Sequence, residues 1–278
     1  MGLRCDILVL LLFPLLSQGN VTPFTNCPQF FVNGVHPTVL RDLMNNNRYQ
    51  QICQCLMDQK NQVIYYYATL YDTNNKIPVY SAYTLQHSTV SRENPWYVEP
   101  QLSNWIFVHS TFLDGGRDLC MGAQKPSTIN WGQHQALNSD YWGPVYDKGH
   151  LYPVYHTSTY LSMLATSTLT NAAPQGSSFN RGGWKTHERN LVSLLQKCSK
   201  VYVVTGVVPD NIAIGNGVRV AKFYWSAYCC VIINGIKESK GYVGPDNNDI
   251  VLTLTVQELE KELSILYGST FSVFQGGC

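Results

Sequence analysis

The chain has 278 residues, of which 45% are apolar and 13% charged, and it carries no repetitive or low-complexity tract. That excludes a disordered or fibrous protein and leaves ample length for a buried core. The net charge is only +1, which argues against a tight, processive or sequence-specific nucleic-acid binder and leaves room for a cleft that holds a few phosphates.

Met1 to Asp6 carries Arg4, Ile7 to Leu16 is apolar except for Pro14, and Ser17-Gln18-Gly19 offers small residues for cleavage. This pattern predicts a secretory signal over residues 1–19, with 20–278 as a single mature domain. The apolar run is about half of what a bilayer span requires, and no later segment reaches that length, so no stable membrane insertion is expected. The C-terminal Gln275-Gly276-Gly277-Cys278 lacks the hydrophobic tail of a lipid-linked protein. Removing Cys5 with the signal leaves eight of the nine cysteines. An even number in a secreted chain points to disulfides, whose pairing the spacing leaves open. Cys53-x-Cys55 and Cys229-Cys230 are too close to chelate one zinc ion comfortably.

Along the chain, Pro37 to Met44 reads as a short helix with Pro in its first turn. Gln62 to Tyr71 and Ile77 to Leu85, separated by Asp72-Thr73-Asn74-Asn75, read as a hairpin. Asn94 to Trp142 reads as a loop-rich stretch that wraps the surface, with Cys120 pinned by a bridge. Ser178 to Gln196 switches to helical spacing, with Trp184, His187, Leu191, Leu194 and Leu195 as its apolar stripe. Val201 to Val208 and Phe223 to Ile233 are strong strands, and Val256 to Leu266 is a final amphipathic helix. Strands flank helices without a regular βαβ rhythm. That predicts an α+β fold with a mainly antiparallel sheet flanked by helices.

The most informative residues are Asp147-Lys148-Gly149-His150, then Thr168-Leu169-Thr170-Asn171-Ala172-Ala173-Pro174-Gln175, then Asn180 to Glu188. An imidazole, two amides and a carboxylate in that order can hold one hydrated divalent ion and one activated water. These three blocks resemble, in order and spacing, the DNA/RNA non-specific endonuclease family of ββα-metal (His-Me finger) nucleases. The wording from Leu169 to Gln175 with Phe179-Asn180-Arg181 resembles in particular the vertebrate endonuclease domain-containing 1 branch. The similarity is dense from Tyr146 to Leu191 and thin elsewhere.

The resemblance implies His150 as the general base that takes a proton from the attacking water. It implies Asn180 as the direct ligand of Mg²⁺, with Mn²⁺ or Ca²⁺ as substitutes. Glu188 follows eight residues later, a rise of roughly 12 Å on a continuous helix. It is therefore expected to hold the ion through water, with Asn180 at or before the first helical turn. Asn171 is implied as a residue that organises the base and the metal waters, Asp147 as one that fixes the turn presenting His150, and Gly149 as the residue that permits a sharp backbone there. In Ser91 to Leu102, Arg92 matches the family's phosphate-steadying arginine, with Arg117 as runner-up. Lys148, Arg181 and Lys185 are expected to meet substrate phosphates. The family has Arg where this chain has Lys148, which keeps the charge and loses the bidentate fork. His36, His87, His109, His134, His156 and His187 read as structural.

The function implied is a secreted, metal-dependent endonuclease acting on DNA and/or RNA with little sequence preference. Two other readings fit the residues: a catalytically weak or inactive nuclease-fold interaction protein, and a phosphodiesterase for small phosphate esters. Oligomeric state is left open.

Overall fold

The computed structural model describes residues 21–39, 47–58, 60, 62–87, 95–103, 120 and 131–278. The signal over 1–19, Arg92 and Arg117 lie outside the described residues. Strand β1 (Thr38–Val39) pairs antiparallel with β11 (Phe271–Ser272), so the start of the expected Pro37–Met44 helix is strand, and its residues 40–44 lie outside the described residues. Thr38 and Val39 are both β-branched, and their partner comes from the far end of the chain, where no local pattern announces it.

A seven-stranded antiparallel sheet forms the frame. Its strands are β2 (Tyr49–Met57), β3 (Val63–Asp72), β4 (Ile77–Thr84), β7 (Lys200–Ile214), β8 (Val218–Val231), β9 (Lys237–Pro245) and β10 (Leu252–Leu254). The expected hairpin is β3–β4. Its turn is held by the Asp72 carboxylate, which accepts the backbone N–H of Asn74 and Asn75 and a two-point bond from Arg48. In β8, Trp225, Ala227 and Cys229 face one layer, packed on helix α5 (Val256–Tyr267) through Leu259 and Leu263. Tyr224, Tyr228 and Cys230 face the other. A strand covered on both faces reads as one continuous apolar run, which is the pattern seen from Phe223.

The four disulfides are Cys27–Cys53, Cys55–Cys120, Cys198–Cys230 and Cys229–Cys278. Adjacent Cys229 and Cys230 point to opposite faces of β8 and so take different partners. The stretch before Trp142 is not merely a surface wrap. Among its described residues, Val98, Glu99, Gln135 and Ala136 are buried. The Gln135 side chain accepts from the Glu99 N–H and donates to the Glu99 C=O, at 2.8 Å each, and so acts as a strand partner for short helix α1 (Pro100–Ser103) and its approach.

The second face carries the unit of interest. Strand β5 (Tyr146–His150) pairs antiparallel with β6 (Ala172–Gly176), with α2 (Tyr160–Thr166) between them in sequence. The Tyr224 hydroxyl donates to the Ala173 C=O at 3.0 Å and ties this ribbon to the large sheet. The predicted helix from Ser178 is two pieces, α3 (Ser177–Arg181) and α4 (Gly183–Leu194), broken at Gly182, whose φ −105° and ψ −107° leave the helical region. In α4, Trp184, His187 and Leu191 are buried as their spacing predicts, whereas Leu194 is exposed.

Gly149 sits in extended strand, not in a sharp turn. Its role is close approach: a Cβ there would lie 2.3 Å from Gln175 Oε1 and 2.5 Å from the Tyr224 hydroxyl. Gln175 and Tyr224 are both fully buried and have nowhere to retreat. Gly149→Ala is therefore expected to cost roughly 1–3 kcal/mol, as overpacking does, and to lower the melting temperature by several degrees. A variant melting with wild type would show that the ribbon yields to a methyl group.

Candidate active site

The β5–β6 ribbon and the α3–α4 pair form the walls of a cleft of about 830 Å³. Its lining includes Asp147, Lys148, His150, Asn180, Arg181, Lys185 and Glu188. Residues far apart in sequence thus meet because the ribbon lies alongside the start of the helices. On α4, Lys185, Glu188 and Arg189 turn toward the cleft while Trp184, His187 and Leu191 turn to the core, as a helical period requires. Four cationic side chains and two acidic ones line the cleft. The positive charge that the whole chain lacks is concentrated here.

Asp147 organises the centre. Its carboxylate accepts from Asn180 Nδ2 at 2.9 Å, from Arg181 Nε at 2.8 Å and from Arg181 Nη2 at 2.6 Å. Burial pushes the Asp147 carboxyl up, but the Arg181 and Asn180 hydrogen bonds and the Arg181 charge outweigh it, so the group sits below its ordinary range. Its part is therefore to hold α3 against β5, not to fix a turn before His150. An ionised carboxylate only accepts, so the Asn180 amide must present its NH₂ to Asp147. That leaves Oδ1 as the acceptor available to a cation. Arg181, expected to meet phosphate, is committed to this pair, although its side chain remains 72% exposed.

His150 ends β5, with its ring 4.8 Å from Trp96. Lys148 Nζ lies 5.3 Å from the Trp96 ring and 5.4 Å from the Tyr141 ring, both within cation–π reach. Burial lowers the Lys148 ammonium, and the charge of Asp147 works against that shift. Trp96 falls within the Ser91 to Leu102 block, whereas nothing in the sequence pointed to Tyr141. An aromatic near a cation carries no local signature.

Asn171 lies beneath the cleft, fully buried. Its Oδ1 accepts from Tyr152 N at 3.0 Å and from Ser81 Oγ at 2.9 Å, and its Nδ2 donates to the C=O of Tyr152 and Thr166. Its own C=O accepts from Leu151 N. Every bonding position of the amide is used by protein, so it cannot reach metal waters. It holds the backbone that leaves His150. His156 and His187, expected to be structural, are buried. Burial lowers His156 to about 4 and His187 to about 3. His156 also reaches the Glu188 C=O with Nε2 at 2.8 Å.

The chemistry of the donor set decides whether a metal ion fits this site. An amide oxygen oriented by Asp147 and a carboxylate on the facing helix are hard oxygen donors, suited to an ion that keeps several waters. Among the described residues no group of three or more His, Cys, Asp or Glu side chains could cage an ion. A zinc-type cage of such side chains is therefore not found there.

Asp246 supports the site from below, its Oδ2 accepting from Gly176 N at 2.8 Å where β6 turns into α3. Burial raises its carboxyl to about 7, against the lowering effect of that hydrogen bond. The folded state therefore holds this proton more firmly than the unfolded chain does. Its stabilising contribution is full below pH about 4 and is lost as pH rises through 7, an amount of roughly 2–4 kcal/mol. Asp246→Asn keeps an acceptor and cannot ionise. It is expected to match wild type in urea unfolding at pH 4 and to be more stable by that amount at pH 8. An equal difference at both pH values would sink this account.

With this geometry in place, comparison with known proteins is direct. The family model for DNA/RNA non-specific endonucleases matches residues 45–271. The chain is 31% identical over 263 residues to the endonuclease domain-containing 1 protein of Homo sapiens, covering 92% of this chain and 48% of that protein. The Mus musculus counterpart is 30% identical over 247 residues, covering 86% and 46%. Mitochondrial endonuclease G of Bos taurus is 35% identical over 94 residues, covering 34% of this chain and 31% of that protein. The chain thus spans about half the length of the first two relatives. A solved structure of EndoG in complex with EndoGI shares the fold, with a TM-score of 0.51 at 20% identity, covering 74% of this chain and 82% of that one. The α+β ββα-metal architecture expected from the sequence is the one observed.

Proposed function

The chain belongs to the DNA/RNA non-specific endonuclease family, and from that premise we propose that it is a secreted, divalent-metal-dependent endonuclease. It would hydrolyse phosphodiester bonds of DNA and/or RNA with little sequence preference, through a single nuclease domain over 20–278. The observation that carries this reading is the cationic cleft in which His150, Asn180 and Glu188 converge from β5, α3 and α4. Four disulfides support an oxidising compartment. No helix among the described residues is long and apolar enough to cross a membrane.

In this mechanism His150 accepts the proton of the attacking water as the bond to phosphorus forms. Asn180 Oδ1, with Glu188 through water, would hold Mg²⁺, and when bound the ion supplies positive charge for the leaving oxygen. Lys148 and Lys185 hold substrate phosphates. Arg92 steadies the scissile group, and Arg181 adds its outward charge while paired with Asp147. Contacts of this kind reach the backbone alone, which carries no sequence information directly, so broad substrate range follows.

Purified protein is expected to nick plasmid with Mg²⁺ and to stop in EDTA. His150→Ala should lower the rate by about 100-fold or more, the usual share of a general base. Asp147→Ala, which frees the Asn180 amide to rotate, should weaken Mg²⁺ activation by about 10–100-fold. Absence of cleavage by wild type at every pH and metal tried would refute the nuclease reading. Cleavage of a small diester but not of plasmid would place the chain among phosphodiesterases. Full activity in His150→Ala would remove that residue as the base.

A further inference from the structure

Two aromatic residues close to the cleft are turned to solvent, one before β5 in the chain and one after it. Trp142 lies between the cleft-lining Tyr141 and Gly143 and leaves 89% of its surface exposed. The segment leading to it is well anchored. The turn Asn138–Tyr141 just ahead is anchored by Asp140, whose carboxylate accepts from Leu137 N at 2.7 Å and Asn216 N at 2.9 Å. Buried Tyr141 donates to the Ala172 C=O at 3.4 Å. Just after it, Gly143 has φ 123°, a conformation that favours glycine, followed by the fixed φ of Pro144. Beyond His150, Tyr155 lines the same cleft and is 39% exposed. The His87 ring lies 4.3 Å from it and the Arg189 guanidinium 5.8 Å from its centroid.

A single exposed apolar side chain is ordinary. Two exposed aromatic rings beside one cationic cleft, Tyr155 lining it and Trp142 next in chain to residues that do, match the elements that hold single strands: cations for phosphates and rings for base faces. In a duplex the base faces are covered by their neighbours, whereas an unpaired strand offers them. Every base has such a face, so stacking adds affinity without sequence preference.

We propose that Trp142 and Tyr155 stack unpaired bases of the substrate strand and make the cleft favour single-stranded over duplex nucleic acid. The inference rests on the nuclease reading above for its substrate class, and it makes Trp142 and Tyr155 determinants of strand selection.

The test compares cleavage of a single-stranded oligonucleotide, as DNA and as RNA, with cleavage of its duplex, using the full chain and Mg²⁺. Stacking on one ring predicts that Trp142→Ala lowers the single-strand to duplex ratio of kcat/KM by roughly 5–100-fold, and that Tyr155→Ala lowers it in the same direction. Trp142→Tyr should restore most of it. An unchanged ratio, or equal loss on both substrates, overturns the proposal while leaving the nuclease reading intact. Binding of the same oligonucleotides in EDTA, followed by fluorescence anisotropy, separates the two ideas further. If wild type cleaves nothing yet binds the single strand through Trp142, the nuclease reading falls and this inference stands. Binding that ignores Trp142 overturns it.

Discussion

The carboxylate of Asp147 is the constraint on which the site depends. It lies on the strand that ends in His150 and bonds Asn180 and Arg181 on the facing helix. One acceptor-only group therefore sets three things at once. It holds α3 against β5, it orients the Asn180 amide so that oxygen faces outward, and it absorbs the charge of one arginine. The bonds to Arg181 are charge-assisted and two-pointed, which gives the pair direction as well as strength. Because Arg181 is largely exposed, much of the Coulombic gain is screened by solvent, and the geometric consequence outweighs the energetic one.

Charge around this clamp is distributed unevenly, and that resolves an apparent conflict in composition. A net charge of +1 looks low for a member of a nuclease family. Yet the cleft gathers Lys148, Arg181, Lys185 and Arg189 against Asp147 and Glu188. Local excess, not total charge, decides what a low-dielectric cleft attracts. Lys148 adds a further feature. Held between Trp96 and Tyr141, its ammonium is partly desolvated and fixed in place. A lysine at a family arginine position thus regains through aromatic contacts some of the positional definition it loses with the guanidinium fork.

Much of this was legible in the sequence where the signal was local. The hairpin from Val63 to Thr84, the long helix α5 and the apolar face of α4 follow from period and turn chemistry. The ββα architecture was implied by the resemblance of the motif blocks to the nuclease family. What escaped were contacts made across the chain. The strand at Thr38 exists because Phe271 arrives beside it, Gln135 is buried because Glu99 needs a strand partner, and Asp147 bonds a helix that begins thirty residues later. The break at Gly182 was hidden because Phe179, Trp184, His187 and Leu191 are all buried across it, so the apolar pattern suggested one helix. Asn171 was expected near the metal waters because a resemblance carries a role onto a position and not the direction of its side chain.

Beneath α4, the support is polar but uncharged, and this follows from what lies above. The Glu188 carbonyl can only accept, so His156 must carry its proton on Nε2, and its Nδ1 then accepts from the Tyr83 hydroxyl. Burial holds this imidazole at about 4 against the raising effect of the Glu188 carbonyl, so it is neutral at physiological pH. His187 meets Ser226 in the same way and is held at about 3. Asn171 completes the layer with an amide. Each residue satisfies backbone or hydroxyl groups that would be costly to bury alone, and none adds a cation beneath the carboxylate face of α4. A fixed imidazolium under Glu188 would compete with any cation that Glu188 and Asn180 hold through their oxygens. Hydrogen bonding by neutral groups fixes α4 and leaves the electrostatics of the cleft to the residues that face the solvent.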